Sequence, residues 1–293
     1  MLNKSTFTLI NPENGNLALK VFSFEDNSYF DHVQRLNYYS LIWVQTGSGK
    51  VSVDFSEYNF VPNHLLSFSP YQPFMLENTE KITGVAVCFH PDFFCIHHHQ
   101  KEVACNGVLF NNIYQPPFVE VDADSQKIFD ILLTQLKSEM QNPALAQNEL
   151  LISYIKIFLI TASRLRKVQF TELEQTCLAQ KEPFILQNLK NFIELHYKTK
   201  HSASDYADLL NITPKALAKI TRVHFNKTLT NLIAERIIIE AKRELYLTNK
   251  SVKEIAYELG YEDEHYFSRF FKNNASVSPQ LYRETVGSAR MMQ

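Results

Sequence analysis

Two stretches of eight and nine residues in this 293-residue chain carry side chains of the types that read DNA. In the first, Lys215, Ala218, Lys219 and Arg222 fall on one face at helical spacing. In the second, Glu264, His265, Ser268, Arg269 and Lys272 do the same. An arginine on such a face can pair bidentately with guanine O6 and N7 in a major groove that admits one helix. His265, Ser268 and Glu264 can add base or phosphate contacts, while lysines supply charge to phosphates and position the helix without reading sequence.

Both faces need a helix held at a steep angle on a partner, and the flanking residues provide one each time. Ser202 with Asp205 resembles a capping box that opens a short helix with Ala203, Tyr206, Ala207 and Leu210 on its apolar side. Asn211-Ile212 turns the chain, and Thr213-Pro214 caps and starts the second helix, with Leu217, Ile220 and Thr221 inward. The arrangement recurs: Ser251 and Glu254 form a capping box, and Val252, Ile255, Ala256 and Leu259 share a face. Gly260 breaks that helix, and Asp263 caps the next, with Phe267, Phe270 and Phe271 inward. Ala207 and Ala256 are 49 residues apart, Leu217 and Phe267 are 50 apart, and one long helix from about 228 to 247 separates the units. Small residues at 207 and 256 allow two short helices to approach closely. Together these features spell two helix-turn-helix motifs.

The charge distribution agrees with that placement. Residues 1–190 carry 14 Lys/Arg against 19 Asp/Glu, whereas residues 191–293 carry 15 against 12. Other chemistry has less behind it. His97-His98-His99, with His90 and Cys95 nearby, offers ligand types but no short zinc spacing, and a solvated loop is the competing reading. His32 and His64 stand alone, with no His-x-His pair on a strand, so no metal and no cofactor are expected. No glycine-rich phosphate loop and no Gly-x-Ser-x-Gly turn is present, and an enzyme is not expected. The cysteines at 88, 95, 105 and 177 form no paired framework and read as quiet buried thiols in a cytoplasmic protein. No run approaches 18 uncharged apolar residues, so neither a signal peptide nor a membrane contact is expected.

The first 120 residues read as strands: YSLIWVQ at 39–45, KVSVDFSEYNFV at 50–61, LLSFSPY at 65–71, then 81–90 and 107–110, punctuated by Gly, Pro and Asn. That pattern predicts an all-β sandwich or small barrel over 1–120. Trp43, Phe68, Tyr71 and Phe74 are candidates to line a small effector pocket there, against the plainer reading of core aromatics. Helical periodicity at 123–140 and 146–163 predicts two helices, a dimerisation or capping region over 121–165. A polar stretch predicts a linker at 166–185, and an all-α domain fills 186–286.

The segment Ser251 to Arg283 closely resembles the second helix-turn-helix and signature region of the AraC/XylS family of bacterial transcription regulators. The residues that carry it are Ile255-Ala256, Leu259-Gly260-Tyr261, His265-Tyr266-Phe267-Ser268-Arg269, Phe271-Lys272, Ser278-Pro279 and Tyr282-Arg283. The first unit matches through Ala207, Leu210 and Leu217, with Arg236 and Ala241 in the long helix. The resemblance implies an N-terminal cupin-like (double-stranded β-helix) regulatory domain and a C-terminal domain with two helix-turn-helix motifs. It also implies binding of double-stranded promoter or operator DNA, activation of transcription with RNA polymerase as a partner, a homodimer through the N-terminal half, and a small-molecule effector. The sequence departs from the family at Thr221 in place of a Phe, at Asn226 in place of a Gly, and at Ala275-Ser276 in place of an aromatic-Gly pair. The alternative from another class is a small-molecule-binding cupin protein whose helical tail serves protein contacts without binding DNA.

Overall fold

The structure is a computed structural model that describes residues 6–12, 15–78, 80–178 and 184–287. The chain divides into two compact units: Met1–Val53, Tyr58–Asn112 and Pro116–Phe170 form the first, and Asp54–Glu57, Ile113–Gln115 and Thr171–Gln293 the second.

The first unit is β-rich, as its short aromatic and β-branched runs require. Its strands are β1 (Thr6–Ile10), β2 (Leu17–Phe24), β3 (Tyr39–Thr46), β4 (Gly49–Val53), β5 (Ser56–Phe60), β6 (His64–Phe68), β7 (Phe74–Asn78), β8 (Thr83–Phe89) and β9 (Phe118–Glu120). Six of them make one sheet in the order β1-β2-β8-β3-β6-β9, and β5-β4-β7 make a second. The segment at 107–110 is not a strand; it contributes only an isolated bridge between Asn106 and Phe110.

Side-chain alternation on the large sheet creates two separate cores. Phe22, Ile42, Val44, Leu66, Phe68, Ala86 and Cys88 face one way and pack with Val51, Phe60, Phe74 and Leu76 of the smaller sheet. Phe68 and Phe74 stack there with centroids 3.8 Å apart and planes within 2°. Leu41, Trp43, Leu65, Val85, Val87 and Phe89 face the other way, against two helices. Each fully buried aromatic or branched side chain is worth about 1.5–3 kcal/mol of transfer free energy.

Those helices are α2 (Ala123–Gln141) and α3 (Gln147–Leu178), which follow the single-turn α1 (Gln100–Val103). Asp122 caps α2 by accepting the Ser125 N–H at 2.7 Å. Phe129 of α2 stacks on Phe158 of α3 at 4.1 Å and meets the Trp43 ring edge-on at 5.9 Å. Leu132, Leu136, Leu151, Ile155 and Leu159 complete that core, while Ile128, Ile131 and Ile157 stay exposed. The expected linker at 166–185 is helical where it is described: α3 continues to Leu178, α4 begins at Phe184, and 179–183 lie outside the described residues. Arg, Leu, Lys, Gln and Glu sustain a helix without an apolar stripe to announce it.

The second unit is helical: α4 (Phe184–His196), α5 (Ala203–Leu209), α6 (Pro214–Phe225), α7 (Leu229–Leu247), α8 (Val252–Glu258), α9 (Glu264–Ala275) and α10 (Pro279–Val286). No helix among the described residues is long and apolar enough to cross a membrane.

Candidate nucleic-acid interface

The two helix pairs, α5–α6 and α8–α9, are built by the same local rules. Ser202 accepts the Asp205 N–H and Asp205 accepts the Ser202 N–H, so the capping box is complete. Ser251 and Glu254 repeat it, with the Glu254 carboxylate 2.7 Å from the Ser251 N–H. These serine contacts hold the Asp205 and Glu254 carboxyls below their ordinary values.

The turns match hydrogen bond for hydrogen bond. Ile212 donates its N–H to the Ala207 carbonyl at 3.0 Å, and Tyr261 to that of Ala256 at 2.9 Å. Asn211, at φ 52°, occupies the place of Gly260, at φ 83°. The next caps are Thr213, accepting from Ala216 N–H, and Asp263, accepting from His265 N–H. From Ile212 to Tyr261 the offset is 49 residues and from Thr213 to Asp263 it is 50, so one extra residue sits in the second turn. That is why the sequence interval shifts between the first and second helices of each pair. Ala207 and Ala256 are wholly buried, as close helix packing demands. A side-chain carbon at Gly260 would lie 2.1 Å from the Lys198 carbonyl oxygen, so the second turn tolerates no substituent.

With those turns fixed, each second helix presents the expected face. Lys215, Ala218, Lys219 and Arg222 of α6 are all exposed, and Leu217, Thr221 and Phe225 are buried. On α9, His265, Arg269 and Lys272 are exposed, Glu264 and Ser268 are half-buried, and Phe267 and Phe271 are buried. Phe270 differs from expectation: it is half-buried and lies against Tyr261 at 5.2 Å. The α6 face carries no carboxylate, and α9 carries Glu264 alone. Two further aromatic side chains of this helix pair, Tyr257 of α8 and Tyr266 of α9, are 53% and 58% exposed; neither is among the residues that the spacing marks as contacts.

The departures from the family pattern are accommodated locally. Thr221 is buried, and its hydroxyl donates to the Ala218 carbonyl at 3.2 Å. Asn226 and Ser276 both end their helices in the left-handed region, at φ 55° and 63°. Thr228 and Ser278 then cap α7 and α10, extending the fifty-residue repeat beyond the helix pairs.

Two arginines of the signature hold this frame rather than face outward. Arg236 of α7 stacks over the Tyr197 ring at 4.0 Å and bonds Glu194 of α4 at 2.8 Å. Arg283 of α10 donates to the Leu245 carbonyl at 3.1 Å and to that of Lys250, closing the end of α7. Lys227 and Glu235 form an ion pair at 2.7 Å with both side chains buried. Burial nevertheless pushes the Glu235 carboxyl up to about 8, against the pull of Lys227.

The aromatic candidates in the β-rich unit are not gathered. Trp43 faces the helices, whereas Phe68 and Phe74 face the opposite core, so a sheet separates them and their side chains fill rather than line space. Tyr71 is buried in the loop before β7. Of the histidines, His99 bonds Glu102 at 2.9 Å and stacks on Phe94, while His90 is buried with its Nδ1 receiving the Asp92 N–H at 3.3 Å. Among the described residues, no group of three or more His, Cys, Asp or Glu side chains converges. Cys88, Cys95 and Cys105 are buried free thiols, and burial pushes Cys88 and Cys105 up to about 12. The Cys177 side chain lies outside those described.

A family profile described as a helix-turn-helix domain matches residues 206–285, from within α5 to α10. The raffinose operon transcriptional regulatory protein RafR of Pediococcus pentosaceus is 30% identical over 97 residues, covering 33% of this chain and 35% of that protein. An HTH-type transcriptional regulator in the cgkA 5' region of Pseudoalteromonas carrageenovora is 32% identical over 104 residues, or 36% of this chain and 61% of its own length. The HTH-type transcriptional activator RhaS of Mannheimia succiniciproducens is 22% identical over 246 residues, covering 83% of this chain and 85% of its own. The matched part of the chain therefore spans 35% of RafR and 61% of the second relative. A crystal structure of ToxT from Vibrio cholerae O395 aligns with 96% of each chain at 14% identity and a TM-score of 0.40.

Proposed function

Starting from a chain whose residues 206–285 are a helix-turn-helix domain of the AraC/XylS type, we propose that the protein is a sequence-specific DNA-binding regulator of transcription, acting as an activator. The observation that carries this reading is the repeated turn, after which both α6 and α9 present exposed cations, Lys215, Lys219 and Arg222 on one and Arg269 and Lys272 on the other. A tail serving protein contacts alone has no need of two matched basic faces.

Lys215, Lys219, Arg222 and Lys272 hold phosphates, and Arg269 reads a guanine with help from His265, Ser268 and Glu264. Ala218 is small so that α6 can approach the groove. The 19 residues of α7 make a spacer of about 28 Å, near the rise of one DNA turn, about 34 Å. The β-rich unit takes the regulatory, cupin-like role and pairs two chains through the exposed Ile128, Ile131 and Ile157 of α2 and α3. Activation then consists of placing RNA polymerase at the promoter.

The test is selection of bound sequences from random DNA by the full-length protein. The expected product is one motif with two short conserved blocks about one helical turn apart. Recovery of unrelated sequences, with no enrichment over the starting pool, contradicts the proposal.

A further inference from the structure

We infer that Phe225, Asn226 and Lys227, at the end of α6, form a latch through which two segments far upstream fix the position of the first reading helix. The second compact unit includes those segments, Asp54–Glu57 and Ile113–Gln115, together with the helices. Each of the three residues meets one of them. The Phe225 ring lies 5.8 Å from that of Tyr114. The Asn226 side-chain amide donates to the Glu57 carbonyl at 3.1 Å, and the Ser56 hydroxyl donates to the Asn226 carbonyl at 3.4 Å. Lys227 Nζ, buried in its ion pair with Glu235, also donates to the Ile113 carbonyl at 3.3 Å.

The fifty-residue repeat isolates what is particular to this end. Phe225, Asn226 and Lys227 correspond to Ala275, Ser276 and Val277 at the end of α9, which offer no ring, no amide side chain and no ammonium. Asn226 and Ser276 share a left-handed backbone, at φ 55° and 63°, so the backbone alone favours glycine at both. The Asn226 amide does something that backbone does not require. It reaches a carbonyl 169 residues away in the chain.

Tyr114 ties the latch to the rest of the helical frame. Its hydroxyl donates to Glu194 of α4 at 3.0 Å, and Glu194 also holds Arg236 of α7 at 2.8 Å. One upstream residue therefore meets both the end of α6 and the clamp between α4 and α7. The reading face stays open: Lys215, Ala218, Lys219 and Arg222 are all exposed with these contacts made. A grip on the end of the helix that leaves its outward face bare orients α6 for DNA and does not mask it.

This inference rests on the reading that α6 contacts DNA, and one arm of its test needs no DNA. Three full-length forms are compared: the unaltered protein, Asn226→Gly, and the matched control Ser276→Gly. Without DNA, hydrogen exchange followed by mass spectrometry should show the peptide over 54–57 exchanging at least about threefold faster in Asn226→Gly, the effect of one lost hydrogen bond. Ser276→Gly should leave that peptide unchanged. No acceleration in Asn226→Gly, or equal acceleration in both variants, overturns the latch. On the DNA selected by the full chain, Asn226→Gly should bind about three- to tenfold more weakly, whereas Ser276→Gly should bind as the unaltered protein does. Base substitutions in the block read by α6 should cost Asn226→Gly less than they cost the unaltered protein, and those in the other block should cost both the same. Undiminished or tighter binding by Asn226→Gly, or a loss spread equally over both blocks, overturns the positioning role. An unaltered protein that shows no DNA preference overturns the DNA reading, and the exchange arm still decides the latch.

Discussion

Gly260→Ala tests the geometry on which the second recognition helix depends. Gly260 sits at φ 83°, and a Cβ there would lie 2.1 Å from the Lys198 carbonyl oxygen and 3.2 Å from the His201 ring. The left-handed backbone alone costs a non-glycine residue roughly 1–2 kcal/mol. The overlap is with backbone, not a flexible side-chain end, so relieving it means moving the α4–α5 connection at an overpacking cost of about 1–3 kcal/mol. The sum, roughly 2–5 kcal/mol, is a large share of what holds a helical unit of this size together. Asn211→Ala is the matched control, because Asn211 holds the same place in the first turn at φ 52°. It should cost only about 1 kcal/mol. Urea unfolding of the full chain resolves the two, with helix content followed by circular dichroism. Fluorescence of Trp43, the one tryptophan in the chain, follows the β-rich unit in parallel. At a slope of about 2 kcal/mol per molar urea, Gly260→Ala should lower the helical midpoint by about 1–2.5 M, and Asn211→Ala by about 0.5 M. Equal shifts for the two substitutions would refute the close approach of Lys198 to the second turn.

Further expectations follow from single residues. Arg269→Ala should lose about 1–3 kcal/mol of discrimination at one guanine-containing position, whereas Lys272→Ala should weaken all DNA alike; quantitative competition with base-substituted operators separates them. Ser276 pays for a left-handed backbone at φ 63°, so Ser276→Gly should raise the helical unfolding midpoint by the equivalent of about 0.5–1 kcal/mol. Glu235 has a folded value of about 8, raised by burial above the ordinary 4.5. The folded unit therefore holds that proton more tightly than the unfolded chain does. Its contribution to stability is complete below pH 4.5 and fades as pH rises through about 8. Glu235→Gln should flatten that stretch of the stability–pH curve, read as unfolding midpoints across it. Ile131→Glu with Ile157→Glu, at positions 61% and 47% exposed, should convert a sedimenting dimer to a monomer while leaving the circular dichroism spectrum unchanged.

The helical unit was largely legible because its rules are local. Capping boxes, a helix-breaking glycine and an alanine at a crossing each leave a mark within five residues, and all were where the sequence put them. The β-rich unit was legible in class and not in detail. In β3, six consecutive residues from Tyr39 to Val44 are buried, because one face meets the second sheet and the other meets α2 and α3. A strand buried on both sides shows no alternation, so nothing in the sequence placed Trp43 and Phe68 on opposite faces. The end of α3 was missed for the reverse reason: its polar residues favour helix but form no apolar stripe to signal it.

The central claim, that two basic helix faces read DNA, is tested most directly by the salt dependence of operator binding beside that of scrambled DNA. Five exposed cations lie on those faces: Lys215, Lys219, Arg222, Arg269 and Lys272. If each displaces one counterion, the logarithm of affinity should fall against the logarithm of salt with a slope of about −4 to −5 per chain. The preference for operator over scrambled DNA should stay at about a thousandfold or more across that range. A slope near zero, or operator and scrambled DNA bound with equal affinity at every salt concentration, would contradict the account.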